Sequence, residues 1–313
     1  LEMVLTYEIE RASRGGKVES IRLLLLAITT RCPLNCQHCF EWHNLRQPEV
    51  LTRDDLLNIV RRYQEFGTGV MYFGGGEPMV RFEDMLYVLE HSNNSTDFWM
   101  YTSGLLMDKQ KAQQLKAAGL TGVMVSIDNH ISEEHDTFRG RPGTYEAGMN
   151  TIRWAKEAQL VTGMALCPTR EYATIANMHA YLELARKMEV SFVQILEPRP
   201  SGRYAGQDVM LSNAQSAMLD ALCDEYNSSP EYRSYPIMRS PAAMMRRLGC
   251  VSGDRSIYIN SKGIIQKCPF CEKSYGLALE RKPQNVLAEM RSDKCPALTL
   301  YKTGFSTEIV QPA

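Results

Sequence analysis

The sequence predicts an α/β fold, a partial (β/α)6 barrel with a small C-terminal metal-binding extension. Three observations predict it. Short β-branched or apolar runs alternate with amphipathic helical stretches from about residue 20 to residue 227. The composition then changes, with the turn-rich NSSPEYRSYP at 227–236. Cysteines gather at two places, one just after the first apolar run and one beyond residue 249.

Taken in order, strands are expected at 21–29, 69–73, 98–102, 122–127, 161–166 and 191–196. Thr52 followed three residues later by Asp55 is a capping signal, Leu56, Ile59, Val60 and Tyr63 repeat at helical spacing, and Gly67 marks the stop. The same rhythm predicts helices at 108–118, closed by Gly119, at 145–158 and around 212–226. Strands separated by helices must run parallel with right-handed crossovers. Six units fall two short of a closed TIM barrel, so the barrel is open and its chemistry belongs at the carboxyl ends of the strands. Residues 1–230 are assigned to the barrel and 231–313 to the extension, where SIYINSKGIIQK reads as a hairpin turning at Ser261–Gly263.

The 313 residues, 44% of them apolar, suffice for one large domain and an appendage. A net charge of -1 creates no global field for nucleic acid or an anionic membrane. The longest apolar run, LLLLAI, is far too short to span a bilayer. Nine cysteines in such a chain suit a reducing cytoplasm with thiolates reserved for metal.

RCPLNCQHCF places Cys32, Cys36 and Cys39 directly after the first strand. Structural zinc wants four ligands, and disulfides would leave one thiol over. The remaining reading is an iron–sulfur cluster with one iron lacking a protein thiolate, open to another ligand. GGGEPMV follows the second strand; alone it reads as a strand-ending turn.

Together, CPLNCQHC and GGGEP resemble the signatures of the radical S-adenosylmethionine (radical SAM) superfamily, with His38 at the aromatic position of the cysteine motif. The resemblance implies a 4Fe-4S cluster that binds SAM, with Gly75, Gly76 and Glu77 beside its methionine part. VSIDNH and the following HDTFRGR are similar to the family's ribose and carboxylate contacts, which implies roles for Ser126, Asp128 and Arg139; Arg139 is equally readable as a loop ion-pair partner. YTSG resembles the family's T-N-G, with Ser103 in place of Asn. VQILEPRPSGR carries Glu197, Arg199 and Arg203 to the rim, as substrate contacts or as an ordinary solvated loop, and Cys167 is a candidate hydrogen donor or simply a small core residue. Cys223 reads as core.

Cys250, Gly263 and Cys268 fit the opening pattern of the auxiliary-cluster domains called SPASM and twitch. The resemblance implies a second 4Fe-4S cluster held by Cys250, Cys268, Cys271 and Cys295; structural zinc is the alternative, and Cys295 matches the pattern least well. The implied enzyme cleaves SAM reductively, with electrons from a flavodoxin or ferredoxin, and abstracts a hydrogen from a peptide or protein side chain. A sugar-like alcohol or a lipid is the alternative substrate, and a non-catalytic redox sensor or scaffold the alternative class.

Overall fold

Strand β1 (Leu23–Thr29) sends Leu24, Leu26 and Ile28 toward the helical layer and Leu25 toward the barrel interior, the two-faced burial that a strand between two cores requires. The computed structural model describes residues 20–293. After β1 come β2 (Val70–Gly75), β3 (Asp97–Thr102), β4 (Leu120–Ser126), β5 (Val161–Leu166) and β6 (Phe192–Ile195), each parallel to its predecessor. Three more strands extend this sheet beyond the six expected of the barrel. β7 (Ile237–Arg239) runs parallel beside β6, and β8 (Ser256–Ile259) runs parallel beside β1, followed by the antiparallel β9 (Ile265–Gln266). The order β7-β6-β5-β4-β3-β2-β1-β8-β9 leaves the barrel open between β7 and β9.

The helices begin where polar side chains can take the free amides of the first turn. α1 (Arg53–Glu65) carries the expected capping box of Thr52 and Asp55 and ends ahead of Gly67, whose φ of 88° suits glycine. α2 (Phe82–Glu90) follows a short 3-10 turn capped by Glu77. α3 (Lys109–Ala117) is capped by Asp108, and α4 (Ser132–Arg139) and α5 (Thr144–Glu157) fill the space between β4 and β5. α6 (Ile175–Lys187), α7 (Asn213–Ser228) with its Ser212–Gln215 capping box, α8 (Pro241–Leu248) and α9 (Pro283–Ser292) complete the layer.

The expected hairpin turns as predicted: Gly263 has φ 77° and its N–H donates to the Asn260 carbonyl at 2.8 Å. Its first strand nevertheless belongs to the barrel sheet. Arg62 on α1 reaches the carbonyls of Leu279 and Arg281, a further tie between barrel and C-terminal segment. Among the described residues no helix is long and apolar enough to cross a membrane.

Inside the barrel, Tyr72, Met124, Ala165 and Phe192 form a separate cluster with Leu25, Trp99 and Tyr101 packed against it. The wide rings fit because two strand positions have no side chain. A Cβ on Gly163 would lie 2.5 Å from the Met124 sulfur and 2.9 Å from the Phe192 ring, and one on Gly122 would lie 2.5 Å from Trp99. Gly163→Val is therefore expected to overpack the interior and lower stability by about 1–3 kcal/mol. Chemical denaturation of the purified variant against wild type checks this.

Candidate active site

The three N-terminal cysteines lie on the long loop between β1 and α1, at the carboxyl end of the sheet. This loop has little regular structure, so other elements must hold it. The Asn35 and Gln37 amides donate to the carbonyls of Arg139 and Phe138, the last carbonyls of α4, at 3.2 and 3.0 Å. The Arg46 amide donates to the Thr30 carbonyl at 2.9 Å. The Thr29 hydroxyl donates to Glu49, which also accepts from the Thr30 amide.

At the loop's root, Gly76 and Glu77 donate their amides to the carbonyls of Thr29 and Arg31, both at 2.9 Å. A Cβ on Gly76 would sit 2.1 Å from the Arg31 oxygen, and one on Gly75, at φ 109°, 2.7 Å from the Thr29 oxygen. The glycine pair thus has a reason within the protein: it lets the end of β2 clamp the start of the cysteine loop.

Glu77 is 2% exposed and accepts four hydrogen bonds, from the Met79 amide, the Thr102 hydroxyl, and the amide and hydroxyl of Ser103. Those four donors match the acceptor capacity of a carboxylate. Burial pushes its pKa up while the donors pull it down. Glu77 and Ser103, singled out separately in the sequence, are therefore one unit. Gly104, with φ 89°, brings that unit against α5, where a Cβ would meet the Ala147 oxygen at 2.7 Å.

Asp128 lies two residues beyond β4, on the face that Ser126 shares by alternation, and is 5% exposed. Its Oδ2 accepts from Arg139 Nε and Nη2, both at 2.5 Å, and its Oδ1 from the Cys167 amide at 2.8 Å. Its own amide donates to His135 Nδ1 at 3.0 Å. The buried Arg139 then directs Nη1 to the Cys36 sulfur at 3.6 Å. Arg139 is thus both the ion-pair partner and a contact to the cysteine motif. Burial pushes the Asp128 carboxyl up, but the Arg139 guanidinium together with His38, His135 and the Cys167 amide holds the acid below the ordinary range.

His38 stacks on Phe138 with centroids 4.8 Å apart and planes 9° apart, and burial lowers its pKa to about 4. Its Nδ1 is buried with no partner, as is His135 Nε2. Burial pushes the Cys32 and Cys39 thiols up to about 12, and each sulfur feels its neighbours in the triad. Such thiols become thiolates when a metal replaces the proton. Among the described residues no three His, Cys, Asp or Glu side chains converge on one ion. The three thiols of this one loop lie within electrostatic reach of one another, as ligands of a single cluster must, and the orphaned His38 Nδ1 leaves a polar atom for a neighbouring group. The residues fit a cluster with an additional ligand.

The rim residues have partners within the protein, as the ion-paired alternative for this loop has it. Glu197 accepts from Arg246 at 2.8 and 3.1 Å and from the Ser216 hydroxyl, joining the end of β6 to α7 and α8. Arg203 donates to the carbonyls of Asn35 and Cys36, and its amide to that of Cys39. Cys167 is buried beside Asp128, its thiol pushed up by desolvation, and Cys223 is buried in the core as expected. Cys250 and Cys268 both lie within electrostatic reach of Arg199, and the Cys271 amide donates to the Cys268 carbonyl at 3.1 Å. Cys295 lies outside the described residues.

Sequence reasoning missed Glu41 and Phe40. Glu41 is buried and accepts from Tyr258 on β8, and Phe40 packs edge-on to Tyr258 and Phe270 at 6.3 and 6.0 Å. An acid and a ring immediately after a cysteine motif carry no periodic signal, so only the pairing of β8 with β1 reveals them.

The fold and the clamped cysteine loop define a SAM-cleaving radical enzyme. The profile of the Radical SAM superfamily matches residues 26–182, and the chain belongs to that superfamily. It is similar to an "AdoMet-dependent heme synthase" of Nitratidesulfovibrio vulgaris, 27% identical over 290 residues covering 82% of this chain and 75% of that protein. It is also similar to a "Probable GTP 3',8-cyclase" of Methanococcus aeolicus, 30% identical over 186 residues, 58% of this chain and 60% of that one. Among solved structures, Streptococcus suis SuiB bound to precursor peptide SuiA superposes with a TM-score of 0.72 at 14% identity, over 89% of this chain and 67% of SuiB. Native anSMEcpe with bound AdoMet gives 0.64 at 18% identity, over 85% and 80%. The chain is an enzyme of a superfamily that uses a 4Fe-4S cluster and SAM and needs an electron donor.

Asp128 yields a prediction with a defined sign. Its folded pKa is depressed, so the unfolded chain binds the proton more readily. Its contribution is present above the ordinary aspartate value of about 3.9 and is lost as pH falls below it through the folded value. Asp128→Asn leaves buried Arg139 without its counter-charge and should cost about 3–5 kcal/mol at pH 7. Urea midpoints from pH 7 to 3 should show the difference narrowing below pH 4; an unchanged gap refutes the pairing.

Proposed function

We propose that Cys32, Cys36 and Cys39 hold the SAM-binding cluster and that the enzyme modifies a peptide or protein side chain in a reducing cytoplasm. The observation that carries the cluster assignment is the triad itself, fixed at the strand ends beside the buried Asp128–Arg139 pair. When bound, the cluster and SAM supply one-electron cleavage of a carbon–sulfur bond and a 5′-deoxyadenosyl radical able to take a hydrogen atom from an unactivated C–H bond.

The chain's own residues bind and orient. Gly75 and Gly76 set the backbone beside the cluster loop, and Glu77 fixes Ser103 there. Ser126 and Asp128 face the barrel interior at the level where SAM is read to lie, and His38 flanks it. Arg139 places positive charge against Cys36 and holds Asp128 ionised. Residues 231–313 are read as the auxiliary extension, with Cys250, Cys268, Cys271 and Cys295 around a second 4Fe-4S cluster and Arg199 near it.

The peptide reading is supported by the likeness to SuiB over most of this chain. A second reading, a heme-type porphyrin as substrate, is favoured by the heme synthase relatives, 27% and 26% identical across 82% of the chain. Incubating the reconstituted enzyme with SAM, a reductant and either Fe-coproporphyrin III or a peptide library separates the two by mass spectrometry. A mass change in the porphyrin alone displaces the peptide reading.

The metal assignment predicts about eight irons per chain after anaerobic reconstitution. Four irons with one zinc would leave the extension redox-silent. Replacing Cys32, Cys36 and Cys39 by Ala should remove about four irons and abolish 5′-deoxyadenosine formation while the melting curve of the metal-free protein stays cooperative.

A further inference from the structure

Four arginines from three parts of the chain converge on residues 33–36. Arg46 Nη2 donates to Asn35 Oδ1 at 2.6 Å, Arg141 Nη1 to the Pro33 carbonyl at 3.4 Å, Arg203 to the carbonyls of Asn35 and Cys36, and Arg139 to the Cys36 sulfur. Trp42 holds two of them in place: the Arg46 and Arg203 guanidinium carbons lie 5.1 and 4.5 Å from its ring centroid. Arg46 and Arg141 are exposed.

Apart from Arg139, which Asp128 neutralises, this frame binds neutral acceptors. Among the described residues no carboxylate lies within ion-pair distance of Arg46, Arg141 or Arg203. The acids nearby are engaged elsewhere: Glu41 is buried against Tyr258, Glu49 lies between Arg31 and Arg81, and Asp136 accepts the amides of Gly143 and Tyr145. A chain of net charge -1 therefore presents a local cationic surface on the outer side of its cysteine loop. Holding a loop by carbonyls needs donors but not charge, and amide or hydroxyl side chains would serve.

We propose that Arg46 and Arg141, with the half-buried Arg203 beside Arg46 on the Trp42 ring, form the docking surface for an acidic one-electron carrier protein that reduces the cluster. The inference rests on the reading of Cys32, Cys36 and Cys39 as cluster ligands. A carrier must approach the cluster closely to pass an electron, and Arg46 and Arg141 contact the loop that bears the triad, at Asn35 and Pro33. Charge complementarity selects an acidic partner and raises its encounter rate by ten- to a thousandfold at low salt, an advantage that screening removes.

The test uses the reconstituted full chain and a reduced flavodoxin. In stopped flow, reduction of the wild-type cluster should slow steeply with added salt. The double variant Arg46→Gln, Arg141→Gln, which keeps amide donors for the loop but removes the charge, should be reduced about tenfold or more slowly at low salt, with a flat salt dependence, while dithionite-driven SAM cleavage keeps its wild-type rate. Arg46→Lys, Arg141→Lys should keep most of the carrier-driven rate, since charge is retained. Direct binding of flavodoxin to the metal-free protein, followed by fluorescence anisotropy, should weaken in the Gln variant alone.

Carrier-driven reduction within twofold of wild type in the Gln variant overturns the proposal. So does an equal loss with dithionite, which would make the arginines loop braces only, and so does wild-type binding of a labelled oligonucleotide in place of flavodoxin. Failure of the wild type itself to cleave SAM with dithionite removes the cluster reading, and the docking with it.

Discussion

The ion pair between Arg139 and Asp128 is the constraint on which the rest of the site depends. Each partner is nearly excluded from water, so neither is stable there alone. Asp128 is positioned by β4 and accepts the amide that ends β5; Arg139 closes α4 and reaches the cysteine loop. One charge pair thereby ties two strand ends, a helix and the triad. The carbonyls at the end of α4 take two further amides of the loop, so the same helix terminus supplies both charge and acceptors.

Close backbone approach is the second means of fixing the loop. Gly75 and Gly76 permit contacts that a single Cβ would forbid, and Gly202 does the same from the far side, where a Cβ would fall 2.3 Å from the Cys39 oxygen. Gly140 meets Asn35 in like fashion, at 2.9 Å. The loop is gripped between three glycine-bearing segments that belong to different βα units. A loop so held loses less order when a cofactor binds, because its conformation is already determined.

Six strands and the principal helices were legible because each announces itself locally. β5 shows an apolar run with a clear start, and α1 shows Thr52, Asp55 and the spacing of its buried face. β7 was not legible, since three residues with only Met238 buried give no periodic signal. The place of β8 was not legible either. Its alternation correctly indicates a strand and its Gly263 turn a hairpin, yet nothing in either says that β1 is its neighbour; that pairing spans more than 200 residues and depends on the whole sheet. The cysteine, GGGEP and VSIDNH motifs named residues that the structure does bring to one end of the barrel. The sequence could not show that Glu77 is saturated by Ser103 and Thr102, or that Glu197 and Arg203 serve Arg246 and the loop carbonyls, because each of those partners comes from a distant element.

The same distinction explains why the cofactor chemistry is easier to read than the substrate. Cluster and SAM demand fixed spacings along short stretches, which survive in the sequence as motifs. Contacts assembled from separate elements leave no such trace. Phe40 after the first cysteine motif, Phe270 between Cys268 and Cys271, and Arg199 after β6 meet across roughly 230 residues of chain, with the Arg199 guanidinium 5.9 Å from the Phe270 ring. This aromatic contact stands between the two groups of cysteines, and burial lowers the pKa of Arg199 to about 10 beside the second group. A chain can therefore keep its cofactor frame and change its substrate by altering residues that belong to no motif. Relatives named for heme and for GTP resemble this chain in sequence, while SuiB, solved with a precursor peptide, shares its fold.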